Sequence, residues 1–305
     1  MQALAVPFLL AVGALLALQA AANVQLSAAV GSPFTASTLQ LALGAALLLG
    51  LALVVGAIAH LDRVPDAPAW HLVGGIGSAV YITAGILLFP RLGAIVTVGL
   101  FIAGQMAASL VLDGLGWLGV TREPLGVAAW AGAAPVIAGT ALIVRAQAGR
   151  SALEPSRTAW IALALAAGAV LPIQGAINAQ LRSDLAAPVA TGAFSFLVAT
   201  AAMLVALAAV PRRTVRRPAP AALRRLPWWG WLGGLCGATY VTSVFVLIPE
   251  IGAAPTIALT VAGQQIASVL VDHHGLLRLP RRPTPPARLL GVAVLLAGVA
   301  LVQLA

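Results

Sequence analysis

The sequence predicts an all-α polytopic membrane protein: ten transmembrane helices arranged as two inverted five-helix repeats. Three observations carry this expectation. Of 305 residues, 61% are apolar and only 8% charged, with a mean hydropathy of +1.02, whereas soluble domains are roughly a quarter charged. Apolar stretches of about 20 residues, the length that crosses a bilayer as a helix, recur along the chain. The chain also repeats itself in register, with an odd number of spans in each copy. A transmembrane barrel would show segments of about ten residues with period-two alternation, and the sequence has none.

Taken in order, the spans fall at 3–24, 36–58, 70–89, 93–112, 125–144, 158–180, 188–209, 229–248, 252–271 and 287–304. Trp70, Trp117, Trp130, Trp160, Trp228, Trp229 and Trp231 lie near their ends, where amphipathic rings settle at the membrane interface. Connections are short except at 211–227. The motif "ALQAAAN" in the first span resembles a signal-peptidase site, but no basic n-region precedes it. It also matches the interior of a later span, so it is read as a retained helix. No soluble domain is expected, and any function belongs to the bundle or its rims.

All seventeen basic residues are Arg, and the net charge is +9. Their placement argues against a nucleic-acid partner. The side of the N-terminus receives Arg63, Arg122 and Arg182. The opposite side receives Arg91, Arg145, Arg150, Arg157, Arg212, Arg213, Arg216, Arg217, Arg224, Arg225, Arg278, Arg281, Arg282 and Arg288. Three against fourteen is the bias of the positive-inside rule, so the 211–227 loop is a topology signal before it is a lipid patch. The single Cys236 lies inside a span, which excludes an intramolecular disulfide.

Internal repetition is the strongest feature. An offset of 155 carries Gln19 to Gln174, Asn23 to Asn178, Gln25 to Gln180, Leu26 to Leu181 and Pro33 to Pro188. At an offset of 159, "PAWHLVGGIGSAVYITAGILLFPRLGA" (68–94) lies over "PWWGWLGGLCGATYVTSVFVLIPEIGA" (227–253). "AGQMAASLVLDGLG" (103–116) likewise lies over "AGQQIASVLVDHHG" (262–275). Apolar runs share Leu and Ala by chance, but not Tyr, Thr, Pro, Gln and Asp in register. Residues 1–150 form the first five-helix repeat and 151–305 the second. An odd number of spans turns the second copy upside down, a plan of secondary transporters that yields two equivalent conformations.

Polar residues in such spans must face protein or a wet cavity, because an unpaired amide in lipid costs a few kcal/mol. Gln19 and Asn23 share one helix face at i, i+4, as do Gln174 and Asn178. They serve either as interhelical hydrogen-bonding glue or as the lining of a solute pathway. Gln105 with Ser109, and Gln264 with Ser268, repeat this spacing, and Gln265 adds an amide in the second copy. Tyr81 with Thr83, and Tyr240 with Thr242, fall midway along spans three and eight, where packing and cavity-facing roles are both open. Pro172, two residues before Gln174, marks a point where that helix would open locally; the first copy has Ala17 there. The pairs Gly74-Gly75 and Gly233-Gly234, with Gly77, mark spans three and eight as close-packing.

Asp113 and Asp272 are the repeat-matched carboxylates, at the ends of spans four and nine. They are either helix-end turn residues or protonatable coupling groups. No carboxylate lies near the middle of a span. His273 and His274 beside Asp272 do not form a recurring ligand spacing with His60 and His71, so no metal or other cofactor is expected. Phosphate loops, nucleophile elbows and HExxH are absent from the sequence, which excludes the common enzyme classes.

With these motifs assembled, the chain resembles the drug/metabolite transporter superfamily, in the YdcZ-type branch and in a fused two-copy form. The resemblance rests on "IQGAINAQL" (173–181) with "AAPVATGAFSF", then "YV", "PEIGAA", "AGQQIASVLVDHHG" and the terminal "RLLGVAVLLAGVALV". It covers essentially the whole chain, and in the first copy Met106 and "DGLG" depart from the second copy's pattern. It implies solute transport across the bacterial inner membrane, often efflux. Small multidrug members of the superfamily carry a membrane-embedded Glu in the first helix. Gln19 and Asn23 stand in that region here, against proton-coupled export of cationic drugs.

The expected function is therefore secondary transport of a small neutral, zwitterionic or drug-like solute. The expected site is Gln19, Asn23, Gln174, Asn178, Tyr81, Tyr240, Gln105, Ser109, Gln264 and Ser268. Proton coupling through Asp113 or Asp272 and facilitated diffusion are both compatible with it. The rivals are a non-transporting scaffold or partner subunit and a lipid flippase. The expected partners are the solute and the bilayer, with homo-oligomerisation open. The Arg bias predicts both termini outside and the 211–227 loop in the cytoplasm. Impermeant labelling of terminal tags on intact spheroplasts should succeed at both ends; tags that react only after lysis would reverse the topology.

Overall fold

The computed structural model describes residues 2–120, 122, 126–148, 155–209, 220–251, 253–282 and 284–303. Every regular element among them is helical. In chain order these are α1 (Gln2–Val30), α2 (Pro33–Val54), α3 (Gly75–Leu92), α4 (Ala94–Leu115) and α5 (Val127–Ala148). There follow α6 (Pro155–Leu185), α7 (Pro188–Ala209), the short α8 (Pro220–Arg225), α9 (Gly233–Ile251), α10 (Ala253–His274) and α11 (Pro286–Gln303). Six helical segments are long and apolar enough to cross a membrane, and α5, α9 and α11 carry shorter apolar stretches. The expected 211–227 loop lies mostly outside the described residues, which resume at α8.

Local sequence accounts for the helix ends. Proline opens α2, α6, α7, α8 and α11, at the one turn where its missing N–H costs nothing. Ser32 caps α2 by accepting from the Thr35 N–H at 3.3 Å. Gly116 and Gly275 end α4 and α10 with φ of 66° and 65°, the left-handed stop that suits glycine. Two residues later Leu118 and Leu277 also have positive φ, 56° and 53°, which strains a branched side chain. These positions match at offset 159. Gln180 Nε2 donates to the Gly119 carbonyl and Gln25 Nε2 to the Arg278 carbonyl, each at 3.4 Å, so repeat-matched amides pin both turns. The local opening expected at Pro172 is not found: α6 runs through it uninterrupted, because one missing N–H removes only one bond of the ladder.

The two halves interlock. α1 packs along α10 while α6 packs along α4; α2 lies against α7, and α5 against α11. The two crossings of the first kind are built on glycine. A Cβ on Gly13 would overlap the Thr260 carbonyl oxygen, and one on Gly263 the Leu10 carbonyl oxygen. In the other crossing, Gly168 meets the Phe101 carbonyl oxygen and Gly104 that of Leu165. Backbones therefore touch directly, the small-residue packing that joins helices in lipid. Gly13 and Gly168 are repeat equivalents, as are Gly104 and Gly263.

Charged residues gather at two rims. Arg282 Nη2 donates to the Pro90 carbonyl at 2.9 Å, and Arg91 lies over Trp160 at 4.4 Å, which puts the ends of α3 and α10 beside the start of α6. At the other rim His71 contacts Asp184, and His60 lies 2.9 Å from the Leu185 carbonyl, beside the end of α6. Gly13→Ala should destabilise the fold by about 1–3 kcal/mol through overpacking. Gly50→Ala, with open space around it, should leave the melting temperature unchanged or slightly raised. Equal melting of the two variants in detergent would show that the crossing tolerates a methyl.

Candidate functional site

The structure places the paired amides in two kinds of environment. Asn23 on α1 is buried and its Nδ2 donates to Gln40 Oε1 of α2 at 2.8 Å. Gln40 Nε2 in turn donates to the Gly233 carbonyl at 3.1 Å. In the other half Asn178 on α6 donates from Nδ2 to Ser195 Oγ of α7 at 3.1 Å. Gln40 and Ser195 are equivalent at offset 155, so one joint is built twice with different partners. Each Asn Oδ1 rests against a glycine, Gly233 for Asn23 and Gly74 for Asn178, with no room for a Cβ. The first glycine of each pair read from the sequence thus receives an amide, while Gly75 and Gly234 lie against the backbones of α7 and α2. Both Asn residues lie in hydrogen-bonded joints between helices.

The glutamines differ from each other. Gln174 is satisfied at both ends by Ser78: Nε2 lies 2.8 Å and Oε1 3.1 Å from its Oγ. Gln19 is equally buried, 2% exposed, yet its Nε2 has no hydrogen-bond partner. The reason is one residue. The counterpart of Ser78 at offset 159 is Gly237, which has no hydroxyl, and Gln19 Nε2 sits 2.5 Å from where a Cβ there would be.

Between these groups lies a cavity of about 10 Å³, the room of about one water. Four pairs of repeat equivalents line it: Leu16 and Leu171, Ser78 and Gly237, Tyr81 and Tyr240, Ile82 and Val241. Gln19 and Phe196 complete the lining. A cavity bounded by equivalents from both halves lies on the axis that relates them. Tyr81 packs against Phe101 with ring centroids 4.6 Å apart and accepts from Gln264 Nε2 at 2.5 Å. Tyr240 instead lies near Thr260, which occupies the repeat position of Phe101 and donates to the Ile257 carbonyl at 2.9 Å. Gln105, the counterpart of Gln264, is buried with its Nε2 unpartnered. Ser268 Oγ donates to the Gln265 carbonyl within its own helix at 2.7 Å, and Ser109 is half-buried.

Of the ten residues expected from the sequence, Gln19, Tyr81 and Tyr240 line the axial cavity. Gln174 and Gln264 stand behind the lining, bonded to Ser78 and Tyr81 respectively. Ser78 and Gly237 were missed because a search for identities passes over a repeat position whose two residues differ. Thr83 turns away, donating to Ser37 Oγ at 2.9 Å.

Asp272 is a structural joint at the Arg-rich rim. Its Oδ1 accepts the Ala94 N–H and its Oδ2 the Ile95 N–H, each at 3.0 Å, and Arg288 Nη2 lies 3.2 Å from Oδ2. A carboxylate from the second half thus caps the start of α4 in the first, meeting orphan donors at the positive end of the helix dipole. Protonation would weaken all three contacts. Asp113 stands half-buried at the corresponding end of α4. At the opposite rim Arg182 Nη1 donates to the Phe245 and Val246 carbonyls at 3.1 and 3.2 Å. Pro249 cannot donate back to Phe245, so the guanidinium supplies the missing bond. Among the described residues no group of three or more His, Cys, Asp or Glu side chains has metal-site geometry.

Among the described residues the chain is an all-helical bundle with six helices apolar enough to cross a membrane, and its two halves meet around a small, mostly apolar cavity. The comparisons agree. Residues 4–142 and 159–301 each match the family model described as "Putative inner membrane exporter, YdcZ". The chain belongs to this YdcZ family of the drug/metabolite transporter superfamily, with two copies of the family unit. A membrane exporter is not an enzyme class. One solved crystal structure is similar in fold over 98% of this chain and 97% of its own, with a TM-score of 0.65 at 18% identity. No curated protein matches the chain.

Asp272→Asn should lower the melting temperature strongly, since breaking a buried pair from one side costs about 3–5 kcal/mol. Combining it with Arg288→Met should recover part of that loss. A melting temperature unaffected by Asp272→Asn would remove Asp272 from the joint.

Proposed function

We propose that the protein is an inner-membrane secondary transporter that exports a small neutral, zwitterionic or drug-like solute through the axial cavity by alternating access. The observation that carries this reading is the lining of that cavity by four pairs of repeat-equivalent residues. In this reading ten helices cross the bilayer, as five-helix repeats at 1–150 and 151–305 in opposite orientations. Support comes from the ends of α1 and α6: Gln25 near the end of α1 bonds beside Arg278, whereas Asp184 near the end of α6 contacts His71 at the other rim. The Arg-rich rim is then cytoplasmic, and both termini are outside.

The present conformation is closed around a space for about one water, so passage requires the halves to separate. Opening toward the Arg-rich rim loosens the contacts of Arg282 with Pro90 and of Asp272 with α4. Opening toward the other loosens His71–Asp184 and the Arg182 contacts to α9. The cavity exchanges its access between rims while the lining stays at the axis. Gln19, Tyr81 and Tyr240 meet the solute directly, and Gln105, Gln264, Ser109 and Ser268 support them from α4 and α10.

The rival is a scaffold whose amides serve only as glue. Asn23→Leu/Asn178→Leu removes two interhelical joints and should lower the melting temperature under either reading. Tyr81→Phe/Tyr240→Phe removes only two cavity hydroxyls. Proteoliposomes loaded with a panel of amino acids, polyols and cationic dyes should show flux of at least one solute in the wild type. That flux should fall roughly tenfold in the tyrosine variant, the worth of one or two hydrogen bonds. The variant should stay folded, its stability lowered by about 1–3 kcal/mol because the Gln264 donor is left without Tyr81. Flux indifferent to both tyrosines would move the pathway elsewhere.

A further inference from the structure

The two halves differ at the axis in one hydrogen bond, and that difference points to how a solute is recognised. Gln174 closes on Ser78. Gln19, its repeat equivalent, faces Gly237 and keeps a buried Nε2 donor without a partner. A buried unpaired donor costs about 1–3 kcal/mol, and a single hydroxyl at residue 237 would remove that cost, as Ser78 does in the other half. The unpartnered donor borders the axial cavity. None of the residues lining it is charged, so an ion entering it would be desolvated without a counter-charge.

We propose that Gln19 Nε2 donates to an oxygen of the transported solute, and that Gly237 is the specificity-determining position that keeps this donor open. The site then takes an uncharged solute bearing a carbonyl or hydroxyl oxygen, read from one side by Gln19. Tyr81 is held in place by Gln264, and Tyr240 lies near Thr260. The inference rests on the transport reading above. It adds a direction to an otherwise symmetric site: the solute's acceptor atom points to the α1–α9 side, and the α6–α3 side, closed by Ser78, meets the rest of the molecule.

The test uses full-length protein in proteoliposomes, with erythritol and N-acetylglycinamide as neutral oxygen-bearing probes and tetramethylammonium as a cation with neither donor nor acceptor. Three proteins are compared: wild type, Gly237→Ser and Gln19→Leu. The expected result is counterflow of at least one neutral probe in the wild type and none of tetramethylammonium. Neutral flux should fall roughly tenfold or more in both variants, with Gly237→Ser melting at or above the wild type because the new hydroxyl engages Gln19. Neutral flux unchanged in Gly237→Ser and Gln19→Leu, or flux of tetramethylammonium alone, overturns the assignment of Gln19 and leaves the transport reading standing. Failure of all three probes to move through folded wild-type protein overturns the neutral-solute class. If the solute panel of the preceding section is also silent, transport itself falls with it.

Discussion

The whole arrangement depends on glycine crossings where backbone lies directly on backbone, and two of them set the centre. Gly13 and Gly263 bring α1 onto α10, and Gly168 and Gly104 bring α6 onto α4. In lipid, apolar helices gain little from hiding side chains, because the surrounding tails are as apolar as they are. Close approach is then the main source of attraction, and it needs residues without a Cβ. Each crossing joins a helix of one copy to a helix of the other, so neither copy completes its own packing. This interlock brings α1, α3, α6 and α9 together at the axis and leaves a space between equivalent residues.

Once helices are drawn that close, every polar side chain inside the bundle needs a partner. Most find one across a repeat-related joint: Asn23 with Gln40, Asn178 with Ser195, Gln174 with Ser78. The copies differ at several positions where they meet. Phe101 faces Thr260 across the symmetry, Gln40 faces Ser195, and Ser78 faces Gly237. Divergence at an axis converts a site with two equivalent sides into one with a defined orientation. Unpaired buried amide donors remain at Gln19, Gln105 and Gln265, and of these Gln19 faces Gly237 where the other half presents Ser78. An unmet buried donor calls for a partner, and only the one on Gln19 borders the cavity.

The rims follow different chemistry. Asp272 reaches from α10 to cap α4, and Arg182 reaches from α6 to the carbonyls that Pro249 leaves unserved on α9. Both use a side chain of the second half to satisfy a helix end, and Asp272 does so across to the first. Such contacts are strong because orphan backbone groups have no water to turn to near the bilayer. They are also local, and each belongs to a single rim.

The sequence by itself determined the class and the repeat. Composition excluded a soluble fold, and the in-register Tyr, Pro, Gln and Asp exposed the duplication. The helix ends fall elsewhere than the hydropathy limits, as at Val30 rather than residue 24 for α1, because prolines, glycines and caps set them rather than the end of an apolar run. The sequence also singled out Gln19, Tyr81 and Tyr240, because an amide or a phenol within an apolar run requires a partner somewhere. Which partner each one finds was decided by tertiary structure alone. Gln19 and Gln174 look identical in sequence and differ only in what α9 and α3 present to them. Asn23 and Asn178 find their partners on neighbouring helices, Gln40 and Ser195. Asp272 finds the first N–H groups of α4. A hydrogen bond depends on two groups brought together from distant parts of the chain, and a sequence shows only one of them at a time.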